Sequence, residues 1–153
     1  MRQKFARRSI LGFGIGGAGA ALLGLTSRSQ AATTTFTATL NAAAEVPPNQ
    51  SPATGSATVT LDSATNTITW SGTFSGLTGP ATAAHIHGPA PAGKNAGVIL
   101  WISTKGSPFN SPFQGTGQLT AEQAADLMAG NYYVNIHTAA NPGGEIRGQL
   151  AKS

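Results

Sequence analysis

The sequence contains no cysteine, and only 9% of its 153 residues are charged. Without cysteine, disulfides and a lipid-modified cysteine are both excluded, so the domain is held by burial alone or by burial and a bound ion. Long hydrophobic runs are also missing. The apolar stretch at residues 10–25 is too short and too rich in glycine for a good membrane span. We therefore expect no membrane span in the mature protein.

Residues 1–31 have the layout of an export signal. A basic start is followed by a Gly/Ala/Leu run and then by small residues, and the stretch SQA at 29–31 predicts cleavage after Ala31. The stretch RRSIL at 7–11 resembles the twin-arginine export motif, the alternative being an ordinary secretory signal that carries paired arginines. We predict a twin-arginine signal peptide over 1–31 and an exported domain over 32–153, periplasmic or extracellular.

Cleavage changes the charge of the protein. The chain has nine basic and five acidic residues, and five of the basic residues would leave with the signal. The mature domain would keep four basic residues and all five acidic ones, a net charge of −1. The pI near 10.0 therefore describes only the precursor. With so few basic groups left to neutralise phosphates, nucleic acid is not an expected partner.

The mature region has the pattern of an all-β protein. Apolar residues alternate with threonines, and Gly, Pro and Asn separate the runs, which is typical of short antiparallel strands with one wet face. One helix is predicted near 120–129, because Thr120 and Gln123 form a capping box and Gly130 is a natural stop. About eight strands with one short helix favour a β-sandwich or flattened barrel. The strands are predicted near 34–41, 55–62, 66–75, 81–87, 97–103, 114–119, 131–138 and 145–151.

The chain has only three histidines, and two of them stand one residue apart in the stretch AHIHGP at 84–89. Alternation sends Ile86 toward the core, so His85 and His87 project from the outer face about 7 Å apart. The same argument places His137 on the outer face of its own strand. If the two strands are neighbours, the three imidazoles converge on one solvent-facing patch.

Such a patch suits a divalent transition metal, because three neutral imidazoles can fill three positions and leave a fourth open. We identify His85, His87 and His137 as candidate ligands of copper or zinc. Glu145 is a candidate fourth ligand, or a group that orients a histidine. The alternatives stay open at this point. The histidines can simply bind a crossing loop, and Glu145 with Arg147 can be a surface ion pair of little energy.

Three stretches together carry a resemblance to a known family. FTATLNAAAEVPPNQSPATGSATVTLD, ATAAHIHGPAPAGKNAGVIL and LMAGNYYVNIHTAANPGGEIRGQL resemble the CHRD domain, a module named for chordin and also found singly in exported bacterial proteins. The resemblance spans about 33–151. It implies an exported binding module, but no settled enzymatic activity.

The layout of that family is similar to copper–zinc superoxide dismutase, which implies an eight-stranded Greek-key antiparallel β-sandwich. In that resemblance His85, His87 and His137 match copper ligands. The chain departs from the dismutase pattern, because it has no fourth histidine, no zinc-loop ligands and no disulfide. These departures argue against a two-metal dismutase.

Three functions follow as expectations. The first is an exported binding module that carries one copper or zinc ion on a three-histidine surface site. The second is a metal-free extracellular interaction or adhesion domain whose loops 45–54 and 88–96 bind an envelope or protein partner, with Trp101 or Phe109 as an anchor. The third is a single-metal redox enzyme, in which Tyr133 would lie beside His137.

Overall fold

The computed structural model describes residues 32–153, so the predicted signal peptide and its cleavage after Ala31 lie outside the described residues. Nine strands, one 3₁₀ turn (η1) and one α-helix make up the domain. Their bounds are β1 Thr33–Asn41, η1 Ala42–Ala44, β2 Thr54–Asp62, β3 Thr67–Ser75, β4 Ala81–His87, β5 Val98–Trp101, β6 Phe113–Gln118, α1 Ala121–Met128, β7 Tyr133–Thr138, β8 Ile146–Gln149 and β9 Ala151–Lys152.

The strands form because apolar residues occupy every second position. In β1, Phe36, Ala38 and Leu40 are buried while the threonines between them are exposed or partly exposed. The inward residues of β2, β3, β4, β7 and β8 complete one apolar core. Alternation of period two therefore places one face of each strand against this core.

All the strands belong to one antiparallel sheet with the order β5-β4-β7-β8-β1-β2-β3-β6, and β9 adds to β1. The connections β3–β4 and β6–β7 cross between distant positions of this order. The two ends of the sheet approach each other, since a Cβ on Gly117 of β6 would lie 2.9 Å from Leu100 of β5. The fold is a nearly closed antiparallel β-sandwich, as predicted.

The helix also agrees with the prediction. Thr120 Oγ1 accepts from the Gln123 N–H at 3.1 Å, and Gln123 Oε1 accepts from the Thr120 N–H at 2.9 Å, which completes the capping box. Leu127 turns into the core, and Gly130 ends the helix region with φ of +78°. Among residues 32–153, no helix has the length and hydropathy needed to cross a membrane.

One strand differs from the expected pattern. All six residues of β7 are buried. They include Tyr133, Asn135 and His137, which lie on the face that alternation predicts to be exposed to solvent. The loop between β4 and β5 and the loop between β7 and β8 supply contacts to this face. The sandwich therefore has a second, polar interior on the outer side of β4, β7 and β8.

Candidate metal centre

The pairing of β4 with β7 brings the three histidines together. In the antiparallel register Ile86 lies opposite Val134, and both are buried in the apolar core. His85, His87 and His137 stand on the other face of the same two strands. Each offers a ring nitrogen, and the three nitrogens lie within 4.8 Å of one another. The structure thus places all three sequence-predicted residues in one cluster, which we call the histidine cluster.

Two of the rings are in direct contact. His85 Nδ1 lies 3.0 Å from His137 Nε2, and the ring centroids are 4.9 Å apart. The ring of His87 is 5.3 Å from that of His85 and 6.3 Å from that of His137. An ion bound to two nitrogens at 2.0–2.1 Å with tetrahedral angles separates them by about 3.3 Å. The contact between His85 and His137 already has nearly this length.

Backbone carbonyls fix the orientation of two rings. His87 Nδ1 lies 3.0 Å from the Ala96 carbonyl oxygen, and His137 Nδ1 lies 3.0 Å from the Pro142 carbonyl oxygen. A carbonyl only accepts, so each Nδ1 carries the proton and each Nε2 keeps its lone pair. A second hydrogen bond of this kind is typical of metal-binding histidines. The Nε2 atoms of His85 and His87 are buried and have no hydrogen-bond partner.

Burial keeps the histidine cluster neutral. It lowers the pKa of His85 to about 4, with smaller contributions from the neighbouring charges of His137 and His87. Burial also lowers the pKa of His87 and that of His137, although hydrogen bonds to the carbonyls of Ala96 and Pro142 oppose the shift. Neutral imidazole is the form that binds a metal, so the ligands need not lose protons at neutral pH.

A stack of rings supports His87 from the side. The Tyr133 ring lies parallel to the His87 ring with the centroids 5.0 Å apart. The Arg147 guanidinium lies 3.4 Å from the centroid of the Tyr133 ring, a cation–π contact. The Tyr133 hydroxyl accepts from the Ala96 N–H at 3.1 Å. Tyr133 therefore positions both His87 and the loop whose carbonyl holds that histidine.

Glu145 does not belong to the histidine cluster, so the structure corrects its expected role as a fourth ligand or orienting group. Its carboxylate accepts hydrogen bonds from Ser51 Oγ at 2.6 Å, Thr78 N at 2.7 Å, Thr78 Oγ1 at 2.8 Å and Thr138 Oγ1 at 2.5 Å. Burial alone would raise the pKa of Glu145, but these hydrogen bonds outweigh it and lower the pKa to about 2. Glu145 is an anion that ties three segments together.

The alternative of a surface ion pair between Glu145 and Arg147 is also wrong. Glu145 is fully buried and Arg147 is 2% exposed, so neither is a surface group. The Arg147 guanidinium donates to Asn95 Oδ1 at 3.0 Å and to the Lys94 carbonyl at 2.6 Å. The two side chains thus serve different contacts, although alternation puts them on one face.

The solvent-facing position of the histidines needs a similar correction. His85 is 7% exposed and His137 is 9% exposed. The loop after β7 covers His137 through Pro142, and the Trp101 ring packs edge-on against His85 with centroids 4.2 Å apart. His87, which binds the Ala96 carbonyl, is partly exposed. These loop contacts are tertiary, and a strand pattern carries no signal for them. The site is an interior cluster beneath loops.

Comparison with known families identifies the class of the protein. The model of the CHRD domain matches residues 36–150, most of the chain, so the chain belongs to the CHRD domain family. This is a family of binding modules, and its domains are typically extracellular. No curated protein and no solved structure matches the chain significantly, so the likeness to copper–zinc superoxide dismutase stays a prediction.

Proposed function

We propose that this CHRD domain is an exported binding module that holds one transition-metal ion, copper or zinc, through His85, His87 and His137. One observation carries the proposal. Two of the rings donate Nδ1–H to fixed carbonyls, which leaves a lone pair on Nε2 within a cluster no wider than 4.8 Å. Imidazole nitrogen suits both metals. The metal would supply a fixed charge that binds a further ligand at an open position.

The fit of the cluster to an ion supports the proposal. The contact between His85 Nδ1 and His137 Nε2 is 3.0 Å, against about 3.3 Å for two nitrogens on one tetrahedral ion. The widest separation exceeds that value by at most about 1.5 Å, which small ring movements can close. The buried His87 Nε2 has no hydrogen-bond partner and is costly to leave unsatisfied.

Elemental analysis tests the proposal. Purified protein is incubated with copper or zinc, dialysed and analysed, and one equivalent of metal per chain is expected. The double variant His85→Ala/His137→Ala should retain none. The control Thr69→Ala, on the exposed face of β3, should retain the same metal as the unchanged protein. No retained copper or zinc in the unchanged protein would overturn the proposal.

The metal-free alternative is favoured by one exposed edge. Trp101 is 46% exposed and Val98 is 43% exposed, both on β5 at the end of the sheet. Phe109, the other aromatic candidate, instead stacks on Phe74 with centroids 5.6 Å apart and packs against the core. Capture of envelope proteins with and without a chelator separates this function from metal binding. Binding that survives the chelator and is lost in Trp101→Ala favours the metal-free domain.

A superoxide assay on the copper-loaded protein tests the third function, a single-metal redox enzyme. Superoxide consumption by the loaded protein is compared with that of the same amount of aqueous copper. The Nε2 atoms of His85 and His87 are buried, so we expect a rate no greater than that of aqueous copper. A faster rate that disappears in His137→Ala would assign the protein to redox enzymes.

A further inference from the structure

A cavity of about 410 Å³ lies apart from the histidine cluster, at one side of the polar interior. Its volume lies within the range of about 300–1,000 Å³ found for small-molecule sites. The cavity is bordered by the segment after β1 and by the loop between β4 and β5, with two residues of β8 also in the lining. Its lining consists of Ala43, Ala44, Glu45, Val46, Pro48, Ala92, Gly93, Arg147 and Gln149.

Two residues of the cavity lining carry a side-chain oxygen without a hydrogen-bond partner. Glu45 is 5% exposed, and its Oε1 is buried without a donor. Gln149 Oε1 is likewise buried without a donor, although Gln149 Nε2 donates to the carbonyls of Ala90 and Gly130 at 3.0 and 2.8 Å. Buried acceptors are seldom left without a partner in proteins. Two in one cavity indicate a ligand that brings N–H or O–H donors.

The walls of the cavity are tied together before any ligand arrives. Asn95 Nδ2 donates to the Val46 carbonyl at 2.9 Å, and Asn95 Oδ1 accepts from Arg147 Nη1 at 3.0 Å. One side chain thus joins both bordering segments to β8. A Cβ atom at position 144 would overlap Glu45 Oε1, so only glycine at this position leaves space for the Glu45 carboxyl group. Such preorganisation reduces the entropy lost on binding.

The charges of the cavity select the kind of ligand. The Arg147 guanidinium lowers the pKa of Glu45, which shows that the two groups interact, but burial is the larger effect and raises this pKa to about 7. Arg147 would repel a cationic ligand. An anion would find no free donor, because the Arg147 guanidinium already donates to Asn95 and Lys94 and the two unpartnered oxygens only accept. The remaining lining is apolar. A neutral molecule with donors on an apolar body suits all three conditions.

We propose that this cavity is a binding site for a small neutral ligand whose apolar body carries N–H or O–H donors, with Glu45 Oε1 and Gln149 Oε1 as the acceptors. The cavity is separate from the proposed metal centre, because its lining contains no histidine. Val46, Pro48 and Ala92 contact the apolar body. A small ligand with so few polar contacts is expected to bind weakly, with a Kd of about 1 mM or more.

The test uses three probes with the same tert-butyl body. Pivalamide is neutral and has two N–H donors, pivalate is an anion, and tert-butylammonium is a cation. Binding to ¹⁵N-labelled protein is followed through the backbone amides of Ala44, Val46 and Gly93 and the side-chain amide of Gln149. Pivalamide should bind in the millimolar range and at least tenfold more tightly than either charged probe. No shift with 50 mM pivalamide, or equal or tighter binding of a charged probe, would overturn the proposal.

Variants assign the roles within the site. Glu45→Gln keeps an acceptor oxygen and should keep the binding of pivalamide within threefold, whereas Glu45→Met removes the acceptor and should weaken binding at least tenfold. Ala92→Phe should block the cavity from its exposed rim, and Ala64→Phe, an equal change in the exposed β2–β3 turn, should have no effect. Unaltered binding in both Glu45→Met and Ala92→Phe would contradict this location of the site.

Discussion

His85 Nδ1 and His137 Nε2 lie 3.0 Å apart, while His137 Nδ1 lies 3.0 Å from the Pro142 carbonyl. The carbonyl requires the proton of His137 on Nδ1, so His137 Nε2 accepts and His85 Nδ1 donates. Without a metal, the two rings therefore form a hydrogen-bonded chain that ends on a backbone carbonyl. A metal ion that takes His137 Nε2 as a ligand must replace this hydrogen bond.

The chain of hydrogen bonds predicts the tautomers of the metal-free protein. Imidazole ¹⁵N NMR at pH 7.5 should show His137 and His85 protonated on Nδ1 and unprotonated on Nε2. One equivalent of zinc should shift His137 Nε2 and remove the hydrogen bond from His85. An unchanged His137 spectrum in the presence of zinc would contradict the assignment of this ligand.

The lowered histidine pKa values predict how metal affinity depends on pH. Burial is the largest cause of the shifts. It lowers the pKa of His85 to about 4, and it also lowers the pKa of His87 and that of His137. Protons therefore compete less with the metal than they would at exposed histidines. Three exposed histidines with pKa about 6.5 would lose up to about a thousandfold in affinity between pH 7.5 and 5.5. We expect a much smaller loss in a chelator competition, and a thousandfold loss would show exposed ligands.

Tyr133 should affect metal binding without touching the metal. Its ring stacks on His87 and its hydroxyl holds the Ala96 N–H. Tyr133→Leu removes both supports, and loss of such an orienting group typically costs 10- to 100-fold in affinity. Tyr133→Phe keeps the stacked ring and should lose less than tenfold. Equal affinities of both variants and the unchanged protein would show that Tyr133 does not position the ligand.

Glu145→Gln should destabilise the domain at neutral pH. The folded pKa of Glu145 is about 2, below the ordinary value of 4.5, so its carboxylate contributes stability that is complete above pH 4.5 and lost as the pH falls toward 2. Urea unfolding should show a loss of about 2 kcal/mol at pH 7 that shrinks at pH 3. Glu122→Gln, an exposed change on α1, should cost about 0.5 kcal/mol or less.

Glu45 should show the opposite pH dependence. Its folded pKa is raised from 4.5 to about 7, chiefly by burial, so the folded state holds the proton more tightly than the unfolded chain does. Stability is then lost as the pH rises from 4.5 through 7. Glu45→Gln should raise the free energy of unfolding by about 1–3 kcal/mol at pH 8 and change it little at pH 4.5. Destabilisation at pH 8 would mean that the ionised carboxylate is needed.

The sequence predicted the strands well because a half-buried strand depends on local alternation. Phe36 and Leu40, for example, both point into the core, as the pattern required. The prediction was less accurate at 145–151, where the structure has two strands, β8 ending at Gln149 and β9 beginning at Ala151. Between them Leu150 is buried in the core and its N–H binds the Tyr132 carbonyl at 2.9 Å. Alternation alone does not show such a break.

The candidate site was predicted in part for a similar reason. Alternation within each strand, together with the pairing of β4 and β7, predicts that His85 and His137 share one face of the sheet. The structure has them on that face, in one cluster. Its burial depends on carbonyls of Ala96 and Pro142, which any residue could supply, so the sequence carries no mark of them. The position of Glu145 depends on hydroxyls up to 94 residues away along the chain, which no local pattern reports.

The place of β1 in the sheet affects when the domain can fold. β1 pairs with β2 on one side and with β8 and β9 on the other, so Phe36 lies opposite both Val59 and Lys152. On the ribosome, β1 emerges more than a hundred residues before the strands that cover its second edge. Until Lys152 has been synthesised, that edge stays open to pairing with other chains. The nascent domain therefore reaches its native state only after β8 and β9 have been synthesised, and such distant pairings make the final step slow.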